Sequence, residues 1–172
     1  MLGRCSVVSC IEPRSDPILM GNPIIAVADL QLLFASERLG VAMFSTLQRL
    51  SINKSKIQKW QLLLALEQNT LAEVRALASR QGLPIPSTPV ATITGVFYGI
   101  LFTLLPWKLN MRLLRSGTRA YLPLFERLKA QHSDPVFGYL LAHEQALKVF
   151  AEQELHGNSS NAASAIRQVL GE

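Results

Sequence analysis

Apolar residues recur every three to four positions through most of the chain, the spacing of one face of a helix. Leu30, Leu33, Phe34, Val41, Phe44 and Leu47 predict a first helix over roughly 24–50, with Asn22–Pro23 as cap and first-turn proline. Ser51-Ile52-Asn53 offers the next cap. Trp60, Leu63, Leu64, Leu71, Val74 and Leu77 carry the same period to Arg80, where Gly82 and Pro84 close the second helix. Thr88–Pro89 opens a third helix that Pro106 should break into pieces of about 89–105 and 107–131. Asp134–Pro135 starts a fourth helix that runs to about Leu155 and stops at Gly157. Ser159 or Ser160 would cap a short last helix through Leu170. No stretch alternates apolar and polar residues, and no Asn-Gly or Asp-Gly turn is present. Long helices with short turns predict an all-α fold, an antiparallel four-helix bundle with a Pro-broken third helix and a short C-terminal helix.

Residues 1–22 carry Gly3, Pro13, Asp16, Pro17 and Gly21 and show no period. They are expected to be a loose leader ahead of one helical domain over 23–172, and Met20 is an alternative start. The 172 residues suffice for one domain, and 49% apolar residues suffice for a sizeable core. Only 17% are charged, so a disordered or supercharged chain is excluded. The net charge of +5 is spread without a basic block or basic–aromatic interleaving, and nucleic acid is not an expected partner. Cys5 and Cys10 both precede the helices and have no His/Cys cluster near them, which speaks against zinc and for a reducing, cytoplasmic setting. Cys5–Ile11 is too short and too polar for a signal-peptide core.

Pro89–Trp107 is 19 residues long and uncharged, near the length that crosses a bilayer, and contains Gly95-x-x-x-Gly99. Lys108, Arg112, Arg115 and Arg119 follow at spacings that put them on one helix face, suited to lipid or anion contact. Three readings stay open. The segment is a central helix apolar all round because it is surrounded, a peripheral contact on the inner face of a membrane, or a true span. Thr92, Thr94 and Thr103 lower its hydropathy, and a span would leave the stripes of helices 1 and 2 without partners. The basic stripe has two plainer readings, a solvated face and an arginine turned inward to neutralise a buried carboxylate.

Acids are few, so their positions carry weight. Glu37 interrupts the apolar stripe of helix 1, and Glu67 that of helix 2. Each must be neutralised, paired or metal-bound, because a buried lone carboxylate costs several kcal/mol. On adjacent antiparallel helices the two could face each other. On helix 4, His143 sits in the stripe of Val136, Leu140, Leu147 and Phe150, with Glu144 on the neighbouring stripe. Carboxylates and imidazole are the ligands of non-haem iron or manganese. Carboxylate metal centres in bundles usually take Glu from two helices and Glu-x-x-His from two others. Here Glu67 is followed three residues later by Thr70, and Glu144 by Leu147; residues 89–125 hold no acid. The plain alternatives are Glu37 paired with Arg112 or Arg115, Glu67 bonded to Thr or Gln, and His143 satisfied within the core. Glu73, Glu126, Glu152 and Glu154 are expected at the surface.

Ser36-Glu37-Arg38-Leu39-Gly40-Val41-Ala42 resembles the segment around the first metal glutamate of the ferritin-like superfamily, nearest the demethoxyubiquinone hydroxylase type. Leu66-Glu67-Gln68-Asn69-Thr70-Leu71 is similar to that family's second glutamate helix, 30 residues further on. Gly82-Leu83-Pro84-Ile85-Pro86-Ser87, followed by the long apolar helix, is the third similar stretch, and the resemblance covers about residues 30–115. It implies Glu37 and Glu67 as metal ligands, with Glu144 matching the last-helix glutamate. It also implies a helix 3 that sits on a membrane and admits a lipid quinone, and oxygen-dependent hydroxylation.

The combined expectation is a ferritin-like bundle with a degenerate carboxylate site. As an enzyme it would be a non-haem iron or manganese oxidoreductase acting on an apolar or lipid-like substrate, with Glu37, Glu67, Glu144 and His143 as ligands. The alternative is a non-catalytic binding or scaffold protein whose helix 3 contacts a membrane surface or a second copy in a homodimer.

Overall fold

The computed structural model describes residues 24–172. The expected leader, the start at Met20, the two cysteines and the Asn22–Pro23 cap lie outside the described residues. Within them the chain forms six helices and no strand. These are α1 (Val27–Leu50), α2 (Lys54–Arg80), α3 (Pro89–Leu104), α4 (Trp107–Gln131), α5 (Pro135–Leu155) and α6 (Ser159–Leu170).

Local chemistry sets most boundaries. The Asn53 side chain accepts from Lys56 N at 3.1 Å and starts α2. Gly82, at φ +64°, ends it, with Leu83 N bonded back to Ala78 O. Asp134 Oδ1 accepts from Val136 N at 3.0 Å to open α5, and Gly157, at φ +82°, closes it. Leu105, held extended ahead of Pro106, separates α3 from α4. Two boundaries differ from expectation. α1 starts at Val27 with no side-chain cap, and Ile25 N is instead held by Gln81 Oε1 at 3.0 Å. The cap position of α6 is Asn158, and Ser159 Oγ takes a hydrogen bond from Lys59 rather than capping the helix.

α1 packs on α2 and α3, α4 on α5, and α2 on α5 and α6. The buried apolar residues fall into two clusters. One holds Phe44, Trp60, Leu63, Met111, Leu147 and Phe150. The other holds Phe34, Leu71, Val74, Phe125, Phe137 and Leu140. α1 and α5 pass from the second cluster to the first, and α2 and α4 pass the opposite way. Between the clusters every one of these helices buries polar side chains: Glu37, Glu67 and Thr70, Thr118, His143 and Glu144.

The uncharged segment is neither surrounded nor a span. Among the described residues no helix is long and apolar enough to cross a membrane. α3 lies on α1 through Gly95, set against the Leu39 carbonyl and Ala42, and Gly99, set against the Met43 carbonyl and Thr46. Neither glycine has room for a β-carbon. The Gly-x-x-x-Gly face is thus used within the chain. The opposite side leaves Val90, Ile93, Phe97, Ile100 and Leu104 exposed.

Candidate metal centre

Three side chains from three helices converge in the polar layer. His143 Nε2 is 3.7 Å from Glu67 Oε1 and 4.0 Å from Glu37 Oε2. One ligand atom from each of the three lies within 4.8 Å of the others, and all three residues are buried. Glu37 and Gly40 share a face of α1, one turn apart, as Glu67 and Thr70 do on α2. Gly40 leaves the room in which the Glu67 carboxylate sits, for a β-carbon there would collide with it. The Thr70 hydroxyl meets His143 Nδ1 at 2.6 Å.

The electrostatics are those of acids held out of water. Burial pushes Glu37 up to about 8, with the facing Glu67 and the Ser36 hydroxyl pulling it partly back. Burial, then the charges of Glu37 and Glu144, push Glu67 well above the usual carboxylate range. Burial takes Glu144 up to about 9, with Glu37 adding to the rise. Burial pushes His143 down to about 3, which keeps its imidazole neutral. Glu37 Oε2 is buried and has no hydrogen-bond partner.

A cavity of about 540 Å³ opens onto this group. Its inner end is lined by Glu37, Glu67, His143 and Glu144, and its walls include Met43, Phe44, Phe102, Leu114 and Leu147. Tyr98 and Leu101 of α3 and Leu113 and Gly117 of α4 line it and are also exposed, so the mouth lies between those two helices.

The residues fit a metal ion. An orphaned buried carboxylate oxygen points at an imidazole nitrogen, a second carboxylate is seated by a glycine, and the donor set of two oxygens and one nitrogen suits a divalent transition metal. The Glu37, Glu67 and His143 group could therefore hold one.

Not every expected residue joins. Glu144 borders the same cavity but stands outside the set of mutually close ligand atoms. Among the described residues no arginine is ion-paired with Glu37; Arg112 is exposed and Arg115 half-buried on α4. Lys108 is exposed, and Arg119 reaches Glu152 at 3.4 Å. Glu73 and Glu126 are exposed as expected, and Glu152 is half-buried. Glu154 is a correction. It is 5% exposed and accepts from Lys59 Nζ at 2.7 Å and Trp107 Nε1 at 2.9 Å, joining α2, α4 and α5.

The sequence pattern gives Tyr121 and Thr118 no place at the site, and Gly40 and Thr70 enter only within the segments that resemble the two glutamate helices, Thr70 also standing where Glu-x-x-His would put a histidine. Two of these left a trace. A glycine inside a helix is costly without a packing reason, and Thr70 follows Glu67 at the spacing that shares a face. A scan against protein-family models, a search of curated proteins and a search of solved structures each returned no match.

Proposed function

We propose that this chain binds one iron or manganese ion between Glu37, Glu67 and His143 and serves an oxygen-dependent oxidation of an apolar substrate held in the cavity. The observation that carries this reading is the convergence of the three ligand-type groups at the inner end of an otherwise largely apolar cavity. On this reading α1, α2, α4 and α5 are the four helices of a ferritin-like bundle, and α3 is an added outer helix.

Held by Glu37, Glu67 and His143, the ion would supply activation of oxygen. The chain supplies the rest. Phe44, Phe102, Leu114 and Leu147 form walls that favour an apolar substrate over water. Glu144, neutral near pH 7, can donate a hydrogen bond to a polar oxygen on that substrate. Thr118 and Tyr121 add hydroxyls at the same wall.

The outer face supports delivery from an anionic membrane surface. Ile93, Phe97, Ile100 and Leu104 of α3, and Leu109 and Leu113 of α4, are exposed, and Leu113 also lines the cavity. No acid occurs from 89 to 125, while Lys108 and Arg112 are exposed beside this face. An apolar ridge flanked by cations fits acyl chains beneath anionic headgroups. The second reading, a non-catalytic binding protein, draws on the same face.

Metal content separates the two. Full-length protein expressed with iron and manganese supplied should carry about one ion per chain, and Glu37→Ala with Glu67→Ala should carry none. Metal retained in that variant overturns the ligand assignment. A metal-free wild-type chain overturns the enzyme reading, and about two ions would bring Glu144 into a dinuclear site.

A further inference from the structure

The hydroxyl of Thr70 has two close partners. Its Oγ1 lies 2.9 Å from the Leu66 carbonyl oxygen and 2.6 Å from His143 Nδ1. A hydroxyl carries one proton, and a carbonyl oxygen can only accept. The Thr70 proton therefore goes to Leu66 O, and Oγ1 is left to accept from the imidazole. That requires a proton on Nδ1.

The other ring nitrogen has no such partner. Glu67 Oε1 at 3.7 Å and Glu37 Oε2 at 4.0 Å are both beyond hydrogen-bond length from Nε2. A proton on Nε2 would find neither carboxylate within hydrogen-bond length, whereas one on Nδ1 has Thr70 Oγ1 at 2.6 Å. The geometry leaves Nε2 as a bare lone pair facing two carboxylates.

We infer that Thr70 is a positioning residue that locks His143 in its Nδ1–H tautomer, so that Nε2 presents a lone pair to the space between Glu37 and Glu67. Its consequence for metal binding rests on the metal reading above; the tautomer stands independently of it. A histidine ligand is commonly held through its other ring nitrogen by a carboxylate or a backbone carbonyl. Here a threonine one turn from Glu67 does this from α2 while the histidine comes from α5. The backbone carbonyl of Leu66 orients the threonine, so the imidazole is tied to the helix that also carries one carboxylate.

The test uses the full chain labelled with ¹⁵N-histidine. Long-range proton–nitrogen spectra of metal-free protein distinguish the two tautomers, and His143→Gln assigns the signal. The wild type and Thr70→Ser should show the Nδ1–H tautomer. Thr70→Val, of similar shape without the hydroxyl, should lose it in favour of Nε2–H or a mixture. Mn(II) affinity should fall about 10- to 100-fold in Thr70→Val and return in Thr70→Ser. An Nε2–H or doubly protonated ring in the wild type overturns the inference even if Thr70→Val fails to fold. So does a Thr70→Val protein with an unchanged Nδ1–H spectrum. Failure of the wild type to bind Mn(II) at all, with the Nδ1–H signal present, supports the tautomer and overturns the metal reading.

Discussion

The carboxylate of Glu67 occupies the place where a β-carbon on residue 40 would be, so Gly40 on α1 seats a side chain from α2. The obstructing atoms are the far end of a flexible side chain, and Gly40→Ala should therefore move Glu67 rather than break the helix pair. A mid-helix Gly→Ala change by itself favours the helix by roughly 0.5–1 kcal/mol. The expected result is a melting temperature unchanged or slightly raised together with a loss of metal. Retention of full metal content in Gly40→Ala would show that Glu67 is not held as described.

Stability should depend on pH in a specific direction. Glu37, Glu67 and Glu144 are all raised, so the folded chain keeps protons that the unfolded chain has lost. Their contribution is full below about pH 4.5 and is lost as pH rises through about 8 and about 9. His143 is lowered, so its contribution is full above about 6.5 and is lost as pH falls through about 3. Three groups outweigh one. Metal-free protein should be most stable near about pH 5 and weaken towards pH 9, by about 1.4 kcal/mol per pH unit for each group in transition. Bound Mn(II), which needs the carboxylates ionised, should flatten this slope. Urea unfolding at pH 5 and pH 8 with and without Mn(II) measures it. A metal-free chain more stable at pH 8 than at pH 5 contradicts the buried-acid account.

Glu37→Gln and Glu67→Gln imitate the protonated acids. Each should leave metal-free stability near pH 5 within about 1 kcal/mol of the wild type and raise it at pH 8, while weakening metal binding. Denaturant midpoints at the two pH values check this, and a clear loss at pH 8 would mean the carboxylate charge is itself stabilising.

Glu154 is a structural group in a different place. Glu154→Ala leaves the Lys59 ammonium and the Trp107 indole N–H without their shared acceptor. The expected loss is about 1–3 kcal/mol, read by urea unfolding, with a shift in tryptophan emission as Trp107 gains water. Metal content should stay the same, since Glu154 does not line the cavity.

The outer face is tested on vesicles. Wild-type protein should co-sediment with vesicles containing anionic phospholipid, more weakly at high salt and little with neutral vesicles. Phe97→Glu together with Ile100→Glu should abolish binding without changing the melting temperature, because both side chains are exposed. A concentration-dependent dimer that the same pair of changes disrupts, with no vesicle binding, would assign the face to a second copy.

Most helix limits could be read from the chain because they depend on neighbours a few residues away. Asn53 and Asp134 bond amides two or three positions on, Gly82 and Gly157 adopt left-handed turns, and Pro106 holds Leu105 extended. Glu37, Glu67 and His143 also announced themselves, since a polar group on an apolar stripe must find a reason to be buried. Which reason is a matter of what the other helices bring. Thr70 and His143 are 73 positions apart, and nothing local to either signals their bond. Glu144 sits beside His143 in sequence, yet neighbouring residues on a helix point about 100° apart, so both border the cavity and only His143 joins the ligand group. Glu154 looked like a surface acid until Lys59 and Trp107 closed over it. α3 has the composition of a buried helix or a span. Only the packing of Gly95 and Gly99 against α1 decides that one face is covered, while the opposite face stays exposed among the described residues. Local backbone chemistry is written in short stretches of chain, whereas burial and coordination are properties of surfaces that meet only after the helices have packed.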